Sequence, residues 1–131
     1  MKISDRIRYV GVNDHEKTLF EGLWPLPFGV SYNSYLVVDE KIALIDTVEG
    51  EFSEEFFGKI REEIGDRPID YLIVNHMEPD HSSSMEFIRS RYPDISIVTN
   101  AKAVPMIAGY YGITDNIITI KEGERLPLGS C

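Results

Sequence analysis

The sequence has one cysteine, Cys131, and three histidines, His15, His76 and His81, among 131 residues. A single thiol closes no intrachain disulfide, which suits a reducing compartment. Long apolar runs are missing too. The longest, such as Ile42-Ala43-Leu44-Ile45, are four residues, against the ~20 a membrane-spanning helix needs. Positive charge is scarce: 13 Lys and Arg face 22 Asp and Glu, a formal charge of −9. That balance argues against nucleic acid or an anionic membrane surface as the main partner. The opening residues, Met-Lys-Ile-Ser-Asp, carry no apolar stretch of the signal-peptide kind. We therefore expect a cytoplasmic protein. There is no repeat, low-complexity tract or linker, so residues 1–131 read as one domain or a part of one. At 43% hydrophobic and 27% charged, the composition supports a packed core.

Hydrophobic periodicity orders the elements. Residues 6–12 alternate as a half-buried strand does. A proline-rich loop follows, with Trp24, Pro25 and Pro27. Residues 32–38 and 41–46 form a hairpin around Asp39-Glu40. Ile42 to Ile45 is continuously apolar, so that strand is covered on both faces. Residues 53–64 predict a helix with Phe56, Phe57, Ile60 and Ile64 on one stripe and glutamates on the solvated side. Gly65 stops it. Residues 69–74 read as a buried strand. Ser83 or Ser84 caps a helix carrying Met85, Ile88 and Tyr92. Residues 95–98 are a strand. Pro105 makes the next helix begin near Ala103 or kink. Residues 117–120 are another strand, and a further one opens at Leu126. Strand and helix alternate in this later part, which indicates an α/β sheet covered by helices.

The densest chemistry is Asn75-His76-Met77-Glu78-Pro79-Asp80-His81. It follows a buried strand, where open α/β sheets carry their functional loops. His76 and Glu78 are two apart, so an extended segment points both the same way. Pro79 biases Glu78 toward extended geometry and helps turn the chain, so that Asp80 and His81 present from a second direction. One loop thus offers imidazole and carboxylate to each of two metals, a donor set suited to iron, manganese or zinc. A polar surface turn is the competing reading; four such residues after a buried strand favour the metal site. Asp46, at a strand end, either orients a ligand histidine or caps the strand. Tyr32 and Asn33 are strand residues before they are pocket residues. His15 reads as a surface loop residue, and Trp24, Tyr110 and Tyr111 as core or interface.

The HxExDH pattern resembles the metal motif of the metallo-β-lactamase superfamily, usually HxHxDH in its hydrolases. Glutamate at position 78 resembles the flavodiiron proteins, or A-type flavoproteins. "LWPLPFGVSYNSYLV" (23–37), "ALIDTV" (43–48), "NHMEPDHSSS" (75–84) and "AGYYG" (108–112) are similar to their N-terminal domain. The resemblance covers essentially the whole chain. It implies an α/β fold, about the first half of a metallo-β-lactamase-like αββα sandwich. It implies that His76 and Glu78 ligate one iron, and Asp80 and His81 the other. In that family a rubredoxin-like donor passes electrons to FMN in a flavodoxin-like domain. They then reach the diiron centre, which reduces dioxygen to water or nitric oxide to nitrous oxide. A carboxylate at position 78 is harder than imidazole and suits a metal that is oxidised and reduced, whereas zinc has no redox chemistry.

The sequence departs from the family downstream of the motif. The bridging carboxylate and two further histidines that complete the family's centre have no counterpart, since no histidine follows His81. Asp94 and Asp115 stand in the wrong context. The flavodoxin-like domain is absent from these residues. We therefore expect weak metal affinity and no independent reduction of dioxygen or nitric oxide. We also expect an exposed apolar sheet face that takes a second copy or a complementary chain; the parent is expected to be a homo-oligomer. Two alternatives are a hydrolase of the same superfamily holding zinc, and a non-catalytic half-domain that only binds a partner.

Overall fold

Among the described residues, ten strands and three helices come from short, locally legible segments. The computed structural model describes residues 2–14, 19–20, 24–25, 30–75 and 84–131, with side chains left out for 14–30. The strands are β1 (Ile7–Tyr9), β2 (Val12–Asp14), β3 (Leu19–Phe20), β4 (Trp24–Pro25), β5 (Val30–Tyr32), β6 (Tyr35–Val38), β7 (Ile42–Ile45), β8 (Tyr71–Ile73), β9 (Ser96–Thr99) and β10 (Ile117–Thr119). The helices are α1 (Ser53–Ile64), α2 (Met85–Arg91) and α3 (Ala103–Tyr111), and a 3-10 turn spans Gly50–Phe52.

The main sheet runs β1-β6-β7-β8-β9-β10. Its first two pairings are antiparallel and its last three parallel. Small antiparallel pairs join β2 to β5 and β3 to β4. The expected strand over 6–12 is broken at Val10-Gly11, and its partner run over 32–38 at Asn33-Ser34. Both breaks share one cause. Gly11 lies so close to β5 that an added Cβ would sit 2.3 Å from the Tyr32 carbonyl oxygen. Only glycine allows that approach.

Register divides the sheet into two unlike faces. Leu36, Leu44, Leu72 and Ile97 lie in one cross-strand row. They share a single core with Phe56, Ile60 and Ile64 of α1, Met85 and Ile88 of α2, and Ala103 and Ile107 of α3. All three helices therefore cover the same face, as successive parallel crossovers of one hand require. On the opposite face run Tyr9, Tyr35, Ile45, Ile73, Val98 and Ile118. None of these belongs to the helix-side core. Ile118 is 38% exposed, Ile45 and Ile73 are half-buried, and Val98 is fully buried. The two-sided cover expected for β7 thus holds for Ile42 to Leu44, which are fully buried, and fails at Ile45.

Local signals explain the helix ends. α1 stops at Gly65, whose φ is 61°. Pro105 is the third residue of α3, where its missing N–H is one the helix leaves unpaired anyway. The side chain of Asn100 closes the preceding turn by accepting the Ala103 N–H at 2.9 Å. Ser84 precedes α2 without a side-chain cap, because its hydroxyl is engaged elsewhere; Ser83 lies outside the described residues. The strand expected at Leu126 does not form. That segment turns and docks on the β6–β7 hairpin, with the Lys41 N–H donating to the Leu128 carbonyl at 2.8 Å. The Asp39 carboxylate accepts the N–H groups of Ser130 at 2.9 Å and Cys131 at 2.8 Å. No described helix is long and apolar enough to cross a membrane.

Candidate metal centre

The proposed ligands His76, Glu78, Asp80 and His81, like His15, lie outside the described residues. Among the described residues no group of three or more His, Cys, Asp or Glu converges. What the structure gives is the frame that holds both ends of the 76–83 segment.

The entering end is fixed by β7 and β9. The Val74 N–H donates to the Val98 carbonyl at 3.0 Å, and the Thr99 hydroxyl donates to the Val74 carbonyl at 3.3 Å. The next residue, Asn75, donates its N–H to Asp46 Oδ1 at 2.7 Å and its Nδ2 to Oδ2 at 3.4 Å. Asp46 is 6% exposed and has φ of 57°. An ordinary L-residue resists that backbone; Asp and Asn tolerate it. The turn swings its carboxylate from the end of β7 to the residue before His76. Ser34, fully buried, donates to the carbonyls of Ile45 and Asp46 at 3.0 and 2.9 Å, fixing the same corner from the residue before β6.

The leaving end is fixed by the residues after β7. The Ser84 N–H donates to the Val48 carbonyl at 3.2 Å. Ser53 donates its hydroxyl proton to the Gly50 carbonyl at 2.7 Å, which leaves its oxygen to accept from Ser84 Oγ at 2.9 Å. Glu49 is engaged from the other side by the hydroxyl of Tyr32, a fully buried residue. One stretch, 46–53, therefore carries both anchors of the loop.

Asp46 acts at the strand end on the Asn75 backbone, one residue from a proposed ligand; orientation of a histidine itself falls outside the described residues. Asn33 accepts a hydrogen bond from the Tyr9 hydroxyl at 3.2 Å, a structural contact beside β5. Tyr110 is 69% exposed, a surface residue, whereas Tyr111 packs on the core. Asp115 pairs with Arg89 at 2.9 Å, and that partner lowers its pKa. Ser34, Ser53 and Glu49 were not singled out from the sequence, and Ser84 was read only as a helix cap. A serine has no periodicity of its own; only a buried serine with a named acceptor stands out.

The layered order of one mixed sheet, three helices on one face, and a histidine–carboxylate loop at the carboxyl end of β8 defines the metallo-β-lactamase class of α/β fold. Residues 30–131 match the ODP family beta lactamase, and the chain belongs to that family. It is 38% identical over 130 residues to the anaerobic nitric oxide reductase flavorubredoxin of Citrobacter koseri, covering 98% of this chain and 27% of that protein. The solved rubredoxin oxygen:oxidoreductase of Desulfovibrio gigas is 33% identical with a TM-score of 0.93, over 98% of this chain and 32% of that one. A flavoprotein of Thermotoga maritima is 32% identical with a TM-score of 0.83, over 90% of this chain and 30% of that one. The chain thus corresponds to the N-terminal part of a flavodiiron protein and spans under a third of these relatives.

Proposed function

We propose that the chain contributes the first ligand set of a flavodiiron oxidoreductase. His76 and Glu78 serve one iron, and Asp80 and His81 the other. The complete protein reduces nitric oxide or dioxygen, with electrons from a rubredoxin-like donor through FMN in a flavodoxin-like domain, and acts as a homo-oligomer in the cytoplasm. The observation that carries this reading is the two-ended anchorage of the 76–83 segment by residues 46–53. Two imidazoles and two carboxylates between fixed ends are a donor set that fits iron. When bound, the diiron centre supplies electrons to the diatomic substrate. The chain's part is to hold the four donors in place: Asp46 at one end, Ser84 at the other. The flavorubredoxin and rubredoxin oxygen:oxidoreductase relatives support this chemistry over zinc-dependent hydrolysis.

The apolar row on the sheet face away from the helices, with Ile118 exposed at its edge, supports the expectation that a second layer, from a complementary chain or a second copy, completes the sandwich. By itself the chain is not the catalyst. The test is anaerobic titration of the protein with ferrous iron, read by elemental analysis and Mössbauer spectroscopy. Iron should bind weakly and be lost in the His76→Ala/His81→Ala variant, without nitric oxide or dioxygen turnover above a metal-only control. Equal iron content in the variant sinks the ligand assignment. Turnover above the control sinks the claim of incompleteness.

A further inference from the structure

We propose that the cavity at the opposite end of the sheet from the metal loop binds a small phosphate-bearing ligand. The cavity holds about 220 Å³ between the C-terminal ends of α1 and α2 and the segments entering β8 and β9. The 76–83 segment leaves β8 at its other end, so the two places are separated by the length of the strand.

Arg61, Arg67 and Arg91 all line this cavity. Three of the chain's 13 basic residues gather here although its net charge is −9. Their commitments leave donors over. Arg67 gives one nitrogen to the Asp39 and Glu40 carbonyls, and the rest of its fork is uncommitted among the described residues. Arg61 pairs with Asp66 at 2.8 Å, but the two side chains are 50% and 94% exposed. An ion pair that open to water is readily exchanged for another anion. Arg91 has no carboxylate partner among the described residues. It lies instead against the rings of Phe57 and Phe87, at 5.3 and 5.0 Å. The two rings hold the guanidinium without accepting its N–H groups as a carboxylate would, which leaves these donors to a ligand.

A second observation points to the same place. Tyr92 lines the cavity, and its hydroxyl is buried with no hydrogen-bond partner among the described residues. Burial raises its pKa against the opposing effect of Arg61, so the group stays a donor. A buried hydroxyl without an acceptor is uncommon in folded proteins. In the proposed complex a ligand oxygen is its acceptor.

Carboxylate and phosphate both suit a guanidinium fork, but a carboxylate has two oxygens and is filled by one arginine. Three arginines and a phenol match a group with more oxygens and more charge. Asp66 and Asp94 also line the cavity and oppose any anion, but the three arginines outnumber them. The volume is below the ~300 Å³ at which drug-sized ligand sites begin, so the organic part is small.

The test is isothermal titration of the protein with inorganic phosphate and, separately, with acetate, without added iron. We expect saturable phosphate binding, tighter than acetate, and at least tenfold weaker in Arg91→Gln. Amide spectra of the unmutated protein should shift at residues 65–69 and 91–94 on phosphate addition. Unsaturable binding, acetate binding equally well, undiminished affinity in Arg91→Gln, or shifts confined to residues around Asn75 and Ser84 would each overturn the proposal. Because no iron is present, the result is independent of the metal-site reading.

Discussion

Replacing Asp46 separates two contributions to the corner that aims the metal loop. Asp46→Ala removes an anionic acceptor 2.7 Å from the Asn75 N–H. A hydrogen bond to a charged group contributes about 1.5–3 kcal/mol. Asn75 is exposed, so water re-solvates its freed N–H and the lower end of that range applies. Alanine must also adopt φ near 57°, which costs a residue with a Cβ about 1 kcal/mol or slightly more. Together these give a loss of about 2–3 kcal/mol. Asp46→Asn keeps an acceptor and tolerates the backbone, so it should lose only about 1 kcal/mol. Asp46→Gly loses the acceptor but not the backbone geometry, so it should be about 1 kcal/mol more stable than the alanine variant. Urea unfolding at neutral pH measures all three. Hydrogen exchange at the Asn75 amide reports the bond directly and should accelerate in Ala and Gly but little in Asn. If Gly is no more stable than Ala, and Asn is as damaged as both, neither the bond nor the backbone fixes this corner.

Three further outcomes are expected. Gly11→Ala places a Cβ 2.3 Å from the Tyr32 carbonyl. Because the obstacle is backbone, it should destabilise by about 2–3 kcal/mol, and a denaturation midpoint equal to wild type would show that the β1–β2 break is not tightly packed. Leu72→Ala, in the helix-side core, should cost about 2–5 kcal/mol, whereas Ile73→Thr, half-buried on the opposite face, should stay under about 1 kcal/mol; equal costs would mean that both faces are packed. The Cys131 thiol holds the Asp39 pKa below the carboxylate range against the opposing desolvation, helped by the Glu40 N–H and the Ser130 and Cys131 donors. A depressed folded-state pKa means that this docking is fully present above about pH 4 and is lost as pH falls through the folded value. The same contact raises the Cys131 pKa, so Asp39→Asn should speed alkylation of Cys131 at mildly alkaline pH, and an unchanged rate would count against the contact.

How much was legible follows from the range of the forces. Residues 53–64 announced α1 because Phe56, Ile60 and Ile64 share one stripe and Gly65 supplies the positive φ that ends it. The hairpin at Asp39-Glu40 was legible without a glycine, and the structure shows the substitute: Asp39 Oδ1 accepts the Glu40 N–H at 2.9 Å. The break at Gly11 was not legible, because its cause is the Tyr32 carbonyl, 21 positions away. Leu126 looked like a strand start because alternation carries no information about whether a partner edge is within reach. The His76, Glu78, Asp80 and His81 set stood out by residue type, by spacing and by its place after a buried strand.

By itself the sequence determined the alternation of strands and helices, the stripe that each helix buries and the concentration of metal-capable side chains after β8. These are local properties, set by side-chain period, turn residues and composition within a few neighbours. Only the tertiary structure decided that all three helices share one face of the sheet, leaving Tyr35, Ile45 and Ile73 to the other. It also decided that Asp46 and Ser84, 38 positions apart, anchor the two ends of one loop, and that three arginines meet at the far end of the strands. Such meetings depend on strand order and crossover hand, which act between residues that the sequence keeps far apart.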